Sequence, residues 1–284
     1  MPRFFAHRGS SAAYPENTRA AYLQAIADGA DGIETDVHVS ADGVLVCHHD
    51  AVLGRTEDAT GEVRALTLAQ LRALDVTSWK GVPIPPELGG PERAFCTFEE
   101  LGRIAQGAGR PIEIAVETKH QLGDDPRVEA ALVADLERLG MDASRRIGDV
   151  TLSFMSFQPE AVLRLVDAFG PDGVCQLIED KRRGWEATVL NTGAGAEGQD
   201  AYARIFPAAA RNLHRGVCAL AGPGVETVRA HQDVARGWFE RMAGRVWTVD
   251  SVEDAQFLLG LGVQQLTSND PAALRAGLEA AHVG

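Results

Sequence analysis

The chain has 284 residues, 45% of them hydrophobic, and carries 27 Lys+Arg against 40 Asp+Glu for a formal net charge of −13. That acidity, with no basic run of five or more, makes nucleic acid a poor partner, because phosphate neutralisation needs clustered cations. No apolar run approaches the ~20 residues that span a bilayer, Met1-Pro2-Arg3-Phe4-Phe5 lacks the pattern of a secretory signal, and Cys47, Cys96, Cys175 and Cys218 show no CxxC spacing. The expectation is a cytoplasmic protein with no membrane span and with buried, reduced thiols.

Short β-rich runs alternate with helical patterns, which argues for βαβ units around a parallel sheet. Strands are expected at 4–7, 32–36, 44–48, 112–117, 150–154, 173–177, 216–220, 245–249 and 263–267. That is one more than a (β/α)8 barrel needs. The link from 36 to 44 is too short for a parallel crossover and must be a hairpin. Reading Asp42-Gly43 as a two-residue turn sets Ala41 opposite Val44 and His49 opposite Asp36. The third run then leaves the ring, and residues 1–284 read as a single α/β domain, a (β/α)8 TIM barrel with a β-hairpin after its second strand.

Helices are expected over 17–28, with Asn17 as candidate cap, and near 98–106, 126–139, 158–169, 224–240, 252–261 and 271–281. From Ala51 to about Cys96 one helical stretch (67–75) precedes Gly81-Val-Pro83-Ile-Pro85-Pro86 and Gly89-Gly90-Pro91, so 51–96 reads as a small insertion over the C-terminal face. Residues 178–214, with Gly193, Gly195 and Gly198, read as a loop or lid.

Active sites of such barrels lie at the C-terminal ends of the strands. His7-Arg8 closes the first strand, Glu34 and Asp36 the second, and Glu117 and Lys119 the next parallel one, while the hairpin returns His49 to the same level. Glu34 and Asp36, two apart, point the same way with Cα atoms about 7 Å apart. Three acids converging there repel one another unless a cation neutralises them, and an all-oxygen set suits Mg²⁺ or Ca²⁺. His7 and His49 are candidate proton-transfer groups, and Arg8 offers a fork of donors to phosphate oxygens. The other six histidines, 38, 48, 120, 214, 231 and 282, read as surface or packing residues. Proton transfer with fixed positive charge is what phosphate-ester cleavage requires. One general acid or base supplies roughly 10²–10⁴-fold, and the rest comes from charge on the phosphoryl oxygens.

His7-Arg8-Gly9, Pro15-Glu16-Asn17-Thr18, Ile33-Glu34-Thr35-Asp36-Val37, Asp42-Gly43, His49-Asp50, Leu53-x-Arg55-Thr56 and Gly61 follow one another in an order and spacing that resemble the amino-terminal signature of the glycerophosphodiester phosphodiesterases. Glu117-Thr118-Lys119, Ser156-Phe157, Trp247-Thr248-Val249 and Ser268-Asn269-Asp270-Pro271 resemble the later motifs, so the likeness spans nearly the whole chain. It implies one divalent cation, Mg²⁺ or Ca²⁺, on Glu34, Asp36 and Glu117, with His7 and His49 as general acid and base. Arg8 and Lys119 would bind the phosphate and Trp247 the glycerol moiety, an indole filling the barrel core being the other reading of Trp247. The implied reaction is hydrolysis of a small glycerophosphodiester to glycerol 3-phosphate and an alcohol. Asp250 stands where the family more often has Asn, Gln264-Gln265 replaces an acidic-glycine pair, and Arg93–Thr97 matches loosely, departures that bear on substrate preference.

Two rivals share these residues. One is a barrel phospholipase or lyase acting on lipid headgroups, which an exposed apolar rim or basic amphipathic helix would favour. The other is a non-catalytic phosphate-binding barrel, which has no need of paired histidines. Either histidine as acid, direct water attack or a cyclic phosphate, any headgroup and any oligomeric state are compatible with the sequence.

Overall fold

The computed structural model describes residues 2–120, 123–180 and 196–283. Its strands, in chain order, are β1 (Arg3–Ala6), β2 (Gly32–Val39), β3 (Leu45–Cys47), β4 (Val52–Leu53), β5 (Gly61–Glu62), β6 (Ile112–Thr118), β7 (Arg146–Ile147), β8 (Val150–Ser156), β9 (Val174–Ile178), β10 (Leu220–Pro223), β11 (Ala243–Val246) and β12 (Gln265–Ser268). Eight pair in parallel in the order β1-β12-β11-β10-β9-β8-β6-β2, and β1 pairing with β2 closes the ring. Helices cover the outside, so the strands are buried on both faces and read as nearly unbroken apolar runs. A small apolar cluster of Phe5, Ala115, Met155, Cys175, Leu177 and Leu220 is separate from the large one shared by strands and helices.

The hairpin forms, with its register one residue from expectation. Val37 opposes Cys47 and Val39 opposes Leu45, so the loop holds three residues and His48, whose N–H donates to the Asp36 carbonyl at 3.0 Å, stands opposite Asp36. Gly43 at φ +83° takes the left-handed position that closes a three-residue turn, which a bare Asp-Gly pair conceals. At the first helix, Arg19–Ala27, the cap is Thr18 and not Asn17, because Asn17 is occupied elsewhere.

Other boundaries move for local reasons. The run at 216–220 is half helix end: Gly216 has φ +65° and the Val217 N–H returns to the Asn212 carbonyl, a left-handed C-terminal cap, so β10 starts only at Leu220. Likewise β11 starts earlier than the expected 245–249. The helix Ala196–Arg215 runs through Pro207, whose breaker signal hid it within the 178–214 stretch, and 181–195 lie outside the described residues. The expected helix over 224–240 is two, Val225–Ala230 and Gln232–Phe239, parted at His231, whose Nε2 meets Asp180 Oδ2 at 2.7 Å.

Between β3 and the helix Phe98–Gln106, the chain makes the β4–β5 ribbon, four 3-10 turns and the short helix Leu68–Leu71. This stretch has its own apolar cluster of Val46, Leu53, Val63, Leu71, Val76, Ile84, Ala94 and Phe95 with Ala20. The four cysteines are free and buried. Among the described residues no helix is long and apolar enough to cross a membrane.

An ion pair lies deep in the barrel, toward the N-terminal ends of the strands. Arg245, 1% exposed, donates to Glu113 (2.6 Å), Ser153 (2.9 Å) and Gln265 (2.7 Å) and lies over the Phe5 ring. Burial alone would raise the Glu113 carboxyl, but Arg245 and Arg3 hold it below the usual range. Arg245→Met should therefore destabilise the protein by about 3 kcal/mol, the lower end for breaking a buried pair, since Arg3 still meets one Glu113 oxygen at 2.6 Å. Urea unfolding would show a lower midpoint at unchanged m. A loss below about 1 kcal/mol, the range of an exposed pair, would mean the pair is not load-carrying.

Candidate active site

Parallel pairing sets Asp36 beside Glu117 and Glu34 beside Ala115 at the C-terminal ends of β2 and β6. Side chains two apart share a face, so Glu34 and Asp36 turn inward together and Glu117 meets them from the next strand. One carboxylate oxygen from each lies within 4.8 Å of the others, and all three residues are buried. Glu34 is pushed well above the usual carboxyl range by burial and by repulsion from Asp36 and Glu117, and Glu117 is raised for the same two reasons, against the pull of Lys119. Asp36 is held well below that range, because Lys119 and Arg8 outweigh its burial. A buried all-oxygen triad with an uncompensated proton demand is the donor set a hard dication fits.

The two cations face these acids directly. Lys119 Nζ lies 2.8 Å from Glu117 Oε1 and 3.2 Å from Asp36 Oδ1. Arg8 donates through Nη1 to Glu16 (2.7 Å), its Nε lies 3.3 Å from Asp36 Oδ2, and its backbone N–H donates to Glu34 (2.9 Å). Arg8 can do this because its φ is +57°, a left-handed conformation that costs an ordinary residue roughly 1–2 kcal/mol. Gly9 follows at φ +78°, where an added Cβ would stand 2.6 Å from the Ala21 carbonyl carbon, so only glycine lets this loop rest on the first helix.

Both candidate histidines are held through Nδ1. His7 Nδ1 is 2.8 Å from Asn269 Oδ1, and His49 Nδ1 is 2.7 Å from Asp50 Oδ1. Burial and the neighbouring Arg8 lower His7 to about 4, and burial with Arg8 and Lys119 lowers His49 well below the usual imidazole range. Both rings are therefore neutral at pH 7, and with a proton on Nδ1 each has its lone pair on Nε2. Arg8, Lys119 and Asp36 all act on His49, and Arg8 and Asp36 on His7, so the two rings share the electrostatic environment of the acids. Trp247, one residue past β11, donates to the Gly222 carbonyl (2.9 Å) and meets Phe157 edge-on at 5.4 Å.

Several residues to which sequence reasoning gave no part in the site surround it. Asp50 also accepts from Arg55, whose other nitrogens fork onto Glu16 at 2.6 and 2.9 Å. Arg55 and Arg8 hold Glu16 at about 2 despite its burial. A charged chain thus runs His49–Asp50–Arg55–Glu16–Arg8–Asp36. Asn17, itself at φ +54°, donates to Asp36 (2.9 Å) and accepts from the Tyr22 hydroxyl (2.9 Å). All of these lay inside the motif segments, where position was the only signal. His38 and His48 pack beneath His49, the first 3.2 Å from its carbonyl, the second between Glu57 (2.7 Å) and the Asp50 carbonyl (2.8 Å). His120 and His231 pair with Glu129 and Asp180 and His214 is exposed, while the side chain of His282 lies outside the described residues.

A closed parallel barrel with buried acids, two cations and two imidazoles at its C-terminal mouth has the make-up of a phosphate-ester enzyme. The sequence matches the model of the Glycerophosphoryl diester phosphodiesterase family over residues 7–273, and the chain belongs to that family. A Mycobacterium tuberculosis protein named probable glycerophosphodiester phosphodiesterase 1 is 34% identical over 98% of this chain and 93% of its own length. A glycerophosphodiester phosphodiesterase of Caldanaerobacter subterraneus is 49% identical over 48% of this chain and 53% of its own. The fold is that of an Oleispira antarctica phosphodiesterase solved with its product sn-glycerol-3-phosphate (TM-score 0.73, 23% identity, 98% and 97% of the two chains).

Proposed function

We propose that the protein hydrolyses small glycerophosphodiesters to glycerol 3-phosphate and an alcohol at the barrel mouth, with His7 and His49 as general acid and base. One observation carries this reading: three buried carboxylates within 4.8 Å of one another, flanked by Arg8 and Lys119 and by two imidazoles held through Nδ1. The Mycobacterium tuberculosis relative and the product-bound Oleispira antarctica enzyme support the substrate class.

Glu34, Asp36 and Glu117 would hold one Mg²⁺ or Ca²⁺. When bound, that ion would offset phosphoryl charge and lower the pKa of a hydroxyl. Arg8 and Lys119 bind the non-bridging phosphoryl oxygens. Lys119 now neutralises Asp36 and Glu117, so its ammonium turns toward substrate when that pair has another positive partner. One histidine takes a proton at Nε2 from the nucleophile, and the other delivers one to the departing alcohol oxygen. The ring acting as acid must first be protonated; the negative charge of a bound phosphodiester raises both imidazoles and opposes the effect of Arg8. Trp247 packs beside the glycerol moiety. Residues 1–284 act as one domain, with 51–96 a small insertion subdomain over the mouth, and four reduced cysteines suit a cytoplasmic setting.

A lipid-headgroup reading draws on one observation. Trp79 and Val82 are exposed on the turn whose Lys80 donates to the Ser11 carbonyl (2.6 Å), beside the His7 loop. Two side chains fall short of the several hundred Å² of an interaction patch, so the soluble diester is preferred. Glycerophosphocholine, -ethanolamine and -inositol, assayed beside vesicles of the parent phospholipids, should yield glycerol 3-phosphate from the soluble diesters alone. Chelation should stop that release. Turnover of vesicles only, or full turnover after metal removal, contradicts the reading.

A further inference from the structure

We infer that Asp250 is a positioning residue that fixes the tautomer of His7 by dictating which way the Asn269 amide faces, an inference that rests on the proton-transfer role proposed for His7. Asp250 follows β11 and is joined to the segment after β12. It accepts from the Asn269 side-chain Nδ2 (2.6 Å), the Asn269 backbone N–H (2.8 Å) and the Ser268 hydroxyl (3.0 Å). An ionised carboxylate offers only acceptors. The amide nitrogen of Asn269 must therefore turn toward Asp250, and Oδ1 toward the first strand.

There Oδ1 meets two donors, the Ser11 hydroxyl at 2.8 Å and His7 Nδ1 at 2.8 Å. Since Oδ1 has no hydrogen to give, His7 carries its proton on Nδ1 and keeps the lone pair on Nε2. A flipped amide would present its NH₂ to His7, move the imidazole proton to Nε2 and remove the proton-accepting atom from the site. Asp250 makes that flip unfavourable by leaving its own carboxylate facing an amide oxygen. The backbone adds rigidity: His7 N–H donates to the Ser268 carbonyl (2.8 Å) and Ala12 N–H to the Asn269 carbonyl (3.0 Å). The two histidines thereby receive different partners, a carboxylate for His49 directly and a neutral amide for His7 with a carboxylate one bond further out.

Asp250 is exposed, so its replacement leaves the core intact. In Asp250→Asn, residue 250 presents an NH₂ as well as an oxygen and the Asn269 amide can sit either way. The expected result is a kcat lower by about 10–100-fold, the usual effect of losing an outer partner, with KM near wild type and nitrogen NMR showing His7 in mixed tautomers. The double variant Asp250→Asn/Asn269→Asp restores an acceptor-only oxygen opposite His7 Nδ1 with an amide donor behind it. It should recover most of kcat and return His7 to the Nδ1–H form. An unchanged tautomer and rate in Asp250→Asn, or a double variant no better than the single one, would overturn the inference. His7→Ala run alongside separates the two levels: loss of turnover there with an unaffected Asp250→Asn removes the positioning role alone, whereas full turnover in His7→Ala removes the histidine reading and this inference with it.

Discussion

Replacing His49 or His7 with alanine is expected to lower kcat by roughly 10²–10⁴-fold, the contribution of one general acid or base, with the melting transition nearly unchanged. His49 is tied to the rest of the site through Asp50 and Arg55, and Arg55 retains its fork on Glu16 when the imidazole is gone, so the charged chain survives. His7 sits on a loop held by backbone hydrogen bonds to Ser268 and Asn269, which the substitution leaves in place. Leaving-group dependence distinguishes the two. The variant lacking the acid should lose little on a diester with an activated phenolate leaving group and most on an alkyl one, and the variant lacking the base should lose equally on both. Equal, near-normal rates in both variants would rule out imidazole proton transfer.

The second large effect concerns Glu34, whose carboxyl is driven up by burial and by its acidic neighbours. Cation binding requires the ionised form, so affinity for Mg²⁺ or Ca²⁺ should fall as pH drops through that raised pKa, with proton release on binding measurable by calorimetry in buffers of different ionisation heat. Stability runs the other way. A group whose folded-state pKa is raised contributes fully below the unfolded carboxyl value and loses that contribution as pH rises toward the folded one. The metal-free protein should therefore become less stable across that window, and a bound cation should reverse the trend. Glu34→Gln mimics the protonated carboxyl: it should melt at or above the wild-type temperature without metal. It should lose about 100-fold or more in cation affinity, beyond the 10–100-fold typical of an outer partner. The stabilisation that excess cation gives the wild type, about 2.7 kcal/mol at 100 times Kd, should be nearly absent from the variant. A metal-induced shift equal to wild type would remove Glu34 from the binding set.

Much of the barrel was legible because its strands are apolar runs separated by helix-length links, and the one link too short for a crossover identified β3 as a hairpin partner. What escaped was local chemistry that several backbones can satisfy. Asp42-Gly43 reads as a two-residue turn, but Gly43 closes a three-residue one, which is enough to put His48 rather than His49 opposite Asp36. Pro207 hid a helix, and Gly216-Val217 passed for the start of a strand when they cap that helix. The Arg245–Glu113 pair could not be foreseen, since charged residues inside β-rich runs carry no sign of a partner 132 positions away.

Within the candidate site, the convergence of the three acids with Arg8 and Lys119 was legible because motif spacing and strand ends agree. Glu16, Asn17, Asp50, Arg55, Asp250 and Asn269 were not, because their roles exist only as contacts. Asn17 has the composition of a helix cap, yet its amide serves Asp36, and Asn269 meets His7 across 262 residues. Short polar residues in loops have many local uses, and only the tertiary fold selects one.

The most direct test of the central claim is a crystal structure grown with Mg²⁺ or Ca²⁺ and glycerol 3-phosphate. The expected result is one ion bound to carboxylate oxygens of Glu34, Asp36 and Glu117, at about 2.0–2.1 Å for Mg²⁺ or 2.3–2.6 Å for Ca²⁺, with the His7 and His49 Nε2 atoms on either side of the phosphate and Lys119 turned from Glu117 toward it. An ion held by other residues, or a phosphate out of reach of both imidazoles, would contradict the account.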